Sequence, residues 1–315
     1  MSTPASAAGH RPRTRRIGPY TVITRLDDKH TAPGAVVPEH RFIARGPDGD
    51  RTVLLSTPLP AVDARRFMAE AEASRYLLGP WSSPATELAP SGDRPWYARP
   101  YVPALPLPTA LAVHGGPLPE RTVRALGVAL AETLAVLHGQ QLSHAGLCPA
   151  AVLLTADGPR LTCYGAVRAA APEGAPRHDA PGLDAGSLPP EQAAGGRPRP
   201  LGDVYALGAT LAYAATGYTA PERDELPPPL RSLVPRCLAR DPSRRPQLAE
   251  VVEELTSRGT PSPTGREPAT RAESLLGPGW LPARTVAALA HQSAAVLSAE
   301  TEPLAPGTAV PRHHH

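Results

Sequence analysis

The sequence predicts an α+β fold in two lobes: a small β-rich lobe holding one helix, then a larger, mainly α lobe. Three observations carry this. Short alternating runs bounded by turn residues fill the first hundred positions, one stretch among them has helical period, and beyond Pro119 apolar residues recur at helical spacing.

In the small lobe, Tyr20–Leu26 alternates and suits a strand. Arg41–Arg45 and Thr52–Leu55 read as two more, joined by the turn Pro47-Asp48-Gly49. Ala61–Leu78 has helical period, with Phe67, Ala71 and Leu78 on one face. Trp96–Val102 is a further strand, closed by proline-rich 103–108. In the large lobe a helix opens at Pro119 and runs to about Gly139. Ala151–Leu154 and Arg160–Cys163 pair as a hairpin around Ala156-Asp157-Gly158, and residues 166–189, rich in Ala, Pro and Gly, read as a long loop. Helices follow at Asp203–Thr216, 228–239 and 246–257. A last one at Pro282–Ser298 has Val286, Leu289 and Val296 on one side.

With 41% hydrophobic residues in 315, the chain can bury a sizeable core, while 42 prolines and 27 glycines imply long turns and structureless ends. The boundaries read as a disordered basic arm at 1–16, one domain at 17–257, a Pro/Ser/Gly-rich linker at 258–279, a C-terminal helix at 280–299 and a disordered tail at 300–315. The net charge of +3 owes much to Arg11, Arg13, Arg15 and Arg16 of the arm, which gives a nucleic-acid partner no support. Three cysteines without metal-ligand spacing, and no signal-peptide pattern, predict a cytoplasmic protein. The longest stretch free of both charged residues and histidine, Val204–Ala220, is short for a membrane span. The chain has one lysine, Lys29, and no asparagine, so chemistry that needs a buried ammonium or an asparagine metal ligand is almost excluded.

Seven short motifs stand in order along the chain: Ile17-Gly18-Pro19-Tyr20, Phe67-Met68-Ala69-Glu70, Leu142 to Leu154, Cys163-Tyr164-Gly165, Pro189-Pro190-Glu191-Gln192, Asp203-Val204-Tyr205-Ala206-Leu207-Gly208 and Asp241-Pro242-Ser243-Arg244-Arg245-Pro246. Together they resemble the bacterial eukaryotic-like Ser/Thr protein kinase family over residues 17–257, and the resemblance implies the bilobal protein kinase-like fold. The run Ser143-His144-Ala145-Gly146-Leu147-Cys148-Pro149-Ala150-Ala151 overlays the catalytic loop, and Cys163-Tyr164-Gly165 falls where Asp-Phe-Gly belongs.

The resemblance also separates what is kept from what is changed. It implies that Glu191 and Arg245 form an ion pair under the large lobe, that Asp203 receives hydrogen bonds from the catalytic-loop backbone, and that His144 and Tyr164 stack in an apolar column between the lobes. Those positions hold the fold. Phosphoryl transfer instead needs a Gly-rich loop, a strand lysine, metal ligands and a base. Here Ser56 stands in the lysine position, Gly146 in that of the catalytic aspartate and Cys148 in that of the loop lysine. Ala151 and Cys163 replace the two metal ligands. Asp27–His40, where the Gly-rich loop belongs, holds one glycine, two prolines and three acids, which would repel phosphates. The segment 166–188 has Ser187 as its only hydroxyl residue, and Ala145 replaces the arginine that would bind a phosphorylated segment. Glu70 keeps its place without its lysine, and either meets an arginine or faces water.

The expected function is therefore that of a catalytically degenerate member, a pseudokinase: a regulatory or protein-binding module with a protein partner and no cofactor. The alternative is a residual, ATP- and Mg-dependent phosphotransferase that takes its lysine from Lys29. A thiol or soft-metal site made of His144, Cys148 and Cys163 is a further one. Trp280 and Leu281, just ahead of a helix-starting proline, are the candidate partner-binding residues, because large apolar side chains anchor interfaces and the domain is expected to close near Leu255. Gly146→Ala and Cys163→Ala are expected to be tolerated, as neither position carries chemistry.

Overall fold

A computed structural model describes residues 15–27, 36–257 and 270–301. Lys29 and most of the basic arm, the linker and the tail lie outside the described residues. The small lobe is a six-stranded antiparallel sheet in the order β1-β2-β3-β4-β6-β5, with β1 at Arg16–Ile17, β2 at Tyr20–Arg25, β3 at Glu39–Arg45, β4 at Thr52–Pro58, β5 at Glu87–Leu88 and β6 at Tyr97–Pro100. The turn at 47–49 works because Gly49 takes a positive φ of 81°, which closes the β3–β4 hairpin and pairs Arg41 with Ser56.

Helix α1, Ala64–Ser74, starts where the Asp63 carboxylate accepts the Arg66 N–H. It buries Phe67 and Ala71 against the sheet. It ends earlier than its periodicity suggests: the Ala85 N–H donates to Ser74 Oγ, the chain turns toward Gly79-Pro80, Leu77 goes inside and Leu78 stays exposed.

A strand pair, β7 at Leu105–Pro106, leads into the large lobe and directly into α2, Leu107–His114. Proline-rich 103–108 hides this helix in the sequence. Pro108 lies in the first turn of α2, where a missing N–H costs nothing. Helix α3, Glu120–Gly139, is the axis of the lobe; it is apolar and long enough to cross a membrane, and most of its side chains are buried in the protein. Around it lie β8 (Val152–Thr155) and β9 (Gly158–Leu161), which join β7 in a second sheet. Helices α4 (Ala166–Ala170), α5 (Pro190–Ala193), α6 (Pro200–Thr216), α7 (Leu233–Cys237) and α8 (Leu248–Thr256) complete the lobe. The segment 166–189 is thus not all loop. Wholly buried Arg177 ties it down by donating to the carbonyls of Pro172, Gln192 and Gly196.

The C-terminal segment corrects two expectations. Part of the supposed linker forms α9, Arg271–Leu275, packed on α3. Trp280 and Leu281 offer no surface for a partner: they are 2% and 5% exposed and belong to the main large-lobe core. Trp280 donates its ring N–H to the Ala156 carbonyl and accepts from Thr122 on its own carbonyl. Burying this much aromatic area is the strongest apolar contribution one residue can make, which is why the tryptophan faces inward. Helix α10, Ala283–Thr301, then buries Leu289 and Val296 and leaves Val286 out. The core therefore does not close near Leu255. Trp280→Ala is expected to lower unfolding stability in urea by about 3–5 kcal/mol; a loss below about 1 kcal/mol would contradict its place in the core.

Candidate functional site

The site lies between the lobes. Its base is Asp203, near the start of α6, which accepts the N–H groups of His144 (2.7 Å) and Ala145 (2.9 Å) and contacts His138 Nε2 at 3.0 Å. One buried carboxylate thus fixes the loop that follows. Below it, Arg245 grips Glu191 with two bonds of 2.6 and 2.9 Å, donates to the Ala239 and Leu201 carbonyls, and stacks on Tyr205. Arg245 is buried while Glu191 keeps a solvent-facing edge. The His144 and Tyr164 rings meet edge-on at 5.8 Å.

The floor of the cleft holds the changed positions. Cys148, Ala151 and Cys163 cluster with Ala150 in a small apolar patch. Burial pushes the Cys148 thiol up to about 12 and lifts Cys163 well above the usual thiol range, so both stay protonated. Burial also lowers the His144 ring to about 4. Two thiols held protonated by burial do not make a thiolate–imidazole pair, and no group of three or more His, Cys, Asp or Glu placed to hold a metal ion stands among the described residues.

Gly146 corrects an expectation. A Cβ built there would stand 2.0 Å from the Cys163 carbonyl oxygen, so the position of the catalytic aspartate admits no side chain unless backbone moves.

The roof is occupied by the protein's own polar groups. Ser56 donates to Glu39 at 2.8 Å, Tyr97 donates to the same carboxylate at 2.6 Å, and Arg99 donates to the Tyr97 hydroxyl. Beside them Arg41, wholly buried on β3, reaches down into the large lobe. It pairs with Asp27 through Nε (2.9 Å) and Nη2 (2.5 Å), and donates through Nη1 to the Ala150 carbonyl at 2.8 Å. Its other contact is Thr162 Oγ1, which neighbours Cys163 in the chain. Burial alone would lower its pKa; the Asp27 carboxylate overrides that and holds the guanidinium charged. Asp27 is therefore spent on Arg41 and is not a free acid facing the cleft. The cation thus bonds to the chain neighbours of Ala151 and Cys163, the two positions where the resemblance puts metal ligands.

Glu70 meets an arginine. Arg168 of α4 donates to both its carboxylate oxygens, at 2.8 and 2.9 Å, and also to the Ser143 carbonyl. This latches α1 to α4 rather than to the Ser56 strand. The latch needs Gly165, whose φ is 74° and whose missing Cβ would lie 2.1 Å from the Glu70 carboxylate.

The remaining space is small. One cavity lined by Glu39, Glu70, Tyr97, Arg99 and Cys163 holds about 20 Å³, and so does another beside Gly146 and Cys148. Each fits a water, far below the roughly 300–1,000 Å³ of ligand pockets.

Next to this, the segment joining the lobes meets α10. Val296 inserts into an apolar slot made by Leu26, Ile43 and Leu54 from the small lobe and Ala104 and Leu153 from the large one. Gln292 pairs with the Ala104 backbone twice: its Oε1 accepts the N–H at 2.9 Å and its Nε2 donates to the carbonyl at 3.0 Å. Tyr101 donates its hydroxyl to Gln292 Oε1, and Arg45 donates to the Ala299 carbonyl.

Arg41, Arg168 and Gln292 were not read as site residues in the sequence. The signal for Arg41 was present: it shares strand parity with Ile43, so alternation puts its side chain on the inner face. Gln292 carried no signal beyond lying on the same stripe as Leu289 and Val296.

A curled antiparallel sheet with one helix, a linking segment and a helical lobe, with Asp203 under the loop between them, define the protein kinase fold. The crystal structure of the kinase domain of Mycobacterium tuberculosis PknI matches it with a TM-score of 0.57 and 23% identity, over 77% of this chain and 97% of that one. No family model matches the chain. Its curated relatives are bacterial Ser/Thr protein kinases. The probable serine/threonine-protein kinase PkwA of Thermomonospora curvata is 34% identical over 77% of this chain, and the serine/threonine-protein kinase AfsK of Streptomyces coelicolor 29% over 86%. The chain spans about a third of the length of each, 34% and 35%.

Two outcomes are expected. Gly146→Ala should destabilise the protein by about 1–3 kcal/mol and Arg245→Ala by about 3–5 kcal/mol, both measured by urea unfolding; an unchanged midpoint for either would remove its contact from the account. Acid should weaken the fold through His144. Its folded pKa, about 4, lies below the ordinary 6.5, so stability present above pH 6.5 is lost as the pH falls toward 4. Between pH 7 and 4 the parent should lose about 3 kcal/mol more than His144→Phe; parallel pH profiles would mean that His144 titrates normally.

Proposed function

We propose that this chain is a non-catalytic, kinase-like regulatory or protein-binding domain whose cleft does not take ATP and magnesium. The observation that carries the reading is Arg41. Its guanidinium, neutralised by Asp27, bonds to Ala150 and Thr162, the chain neighbours of Ala151 and Cys163, and so puts a buried cation next to the positions where metal ligands would be needed. A magnesium ion there would face a buried cation, a methyl group and a protonated thiol, with no oxygen ligand from either metal position. The residues do not fit the group. Nor does any side chain stand at Gly146 to act as base, and Ser56 is committed to Glu39. With the nucleotide functions replaced, what the domain has left to act through is its surface.

The relatives are named as kinases, so residual phosphotransfer is the reading to test against. Ligand binding raises apparent stability by RT ln(1 + [L]/Kd), about 2.7 kcal/mol at a hundredfold excess over Kd. Millimolar ATP with magnesium should leave the melting temperature of the full chain unchanged. A clear rise would overturn the proposal and bring phosphotransfer, with Lys29, back.

A further inference from the structure

The interlobe slot beside Arg41 is filled by a helix, and the way it is filled resembles recognition rather than general core packing. The Ala104 N–H and carbonyl belong to the segment that joins the lobes and need a partner once buried. Gln292 supplies a planar group that donates and accepts side by side, and it satisfies both at 2.9 and 3.0 Å. One helical turn further on, Val296 enters the apolar slot. Residues four apart lie on one helix face, so the amide and the β-branched side chain enter together. The rest of α10 is weakly held: of its described side chains only Thr285, Leu289 and Val296 are buried. Trp280 anchors the chain in the large lobe ahead of the helix, so α10 can leave the slot while its tether stays.

From this we infer that the interlobe slot is a helix-binding site, that α10 is its resident ligand in cis, and that the slot accepts the same helix in trans once α10 leaves. The ligand class is an amphipathic helix carrying Gln-x-x-x-Val on its inner face. This rests on the reading that the cleft is not a nucleotide site. It goes further, because it names what the vacated half of the cleft takes and how access to it is controlled.

The test uses the full chain. Val296→Asp places a carboxylate among Leu26, Ile43 and Leu54, which expels the helix. Gln292→Ala is the milder variant and is read in its place if Val296→Asp does not fold. Amide hydrogen exchange over 283–301 reports release, and fluorescence anisotropy reports binding of a labelled peptide of sequence 283–301. The expected result is exchange at least about tenfold faster over that segment in the variant, with the rest of the domain protected. The variant should then bind the peptide saturably, at least about tenfold tighter than the parent does, since the parent's slot is taken. A peptide carrying Val296→Asp should not bind. Three results would overturn the inference: α10 stays protected in both variants, it is released and no peptide binds, or adenosine displaces the bound peptide. ATP binding by the parent chain bears on the proposed function alone. A released helix without peptide binding bears on the slot alone, so the two failures are told apart.

Discussion

A guanidinium cannot stay buried without a counter-charge, and the cleft is arranged around meeting that requirement for Arg41. Its strand pairing fixes it on the inner face of the sheet, and Asp27, at the end of the preceding strand, closes over it with two hydrogen bonds. The third side of the guanidinium reaches the Ala150 carbonyl, so a small-lobe strand is joined to the large-lobe loop by one side chain. Removing either partner would leave a naked charge between the lobes, which is far costlier than the pair itself is favourable. The geometry of the closed cleft thus follows from one buried ion pair.

The changed positions around it are mutually dependent. Cys163 sits next to the residue that touches Arg41, and a carboxylate there would compete with Asp27 for the same cation. Gly146 has no room for a side chain because the Cys163 carbonyl lies in the space one would use. Gly165 is bare because the Glu70 carboxylate lies against it, and Glu70 lies there because Arg168 holds it. A side chain restored at Gly146 would meet the Cys163 backbone. The scaffold residues Asp203, Glu191 and Arg245 stand apart from these contacts. They satisfy loop amides and carbonyls, a need that exists whether or not a nucleotide binds.

The fold was largely legible in the sequence. Alternation located β2, β3, β4 and β6 to within a few residues, and apolar spacing located α3, α6 and α8. What failed was local. Leu78 fitted the helical face of α1, but Ser74 ended the helix first by capping it onto Ala85. Proline-rich 103–108 concealed α2 because proline is tolerated in a first turn. At the site, the motif positions showed which of the family's side chains are exchanged but not what surrounds the exchanged positions. A replacement made by side chains from another strand, another loop or the C-terminal helix depends on tertiary contacts, and spacing along the chain does not encode those. Trp280 was misjudged for a related reason: area that suits an interface suits a core equally, and sequence position cannot separate them.

The two halves of the cleft are closed by different physics, and that difference matters for how the domain works. Arg41 is held by charge in a wholly buried setting, where opening would expose or strand an ion. α10 is held by three buried side chains, Thr285, Leu289 and Val296, by the Gln292 amide and by the Arg45 bond to the Ala299 carbonyl. Elements with few buried contacts open at lower free energy than the core they rest on. The phosphate half is therefore the permanent part of the closure and the hinge half the adjustable part. A domain that bridges its lobes with its own residues, as Arg41 and α10 do here, holds them in one relation. If that relation is to change, it changes where the tether is weakest, at the seam between Gln292, Val296 and the segment joining the lobes.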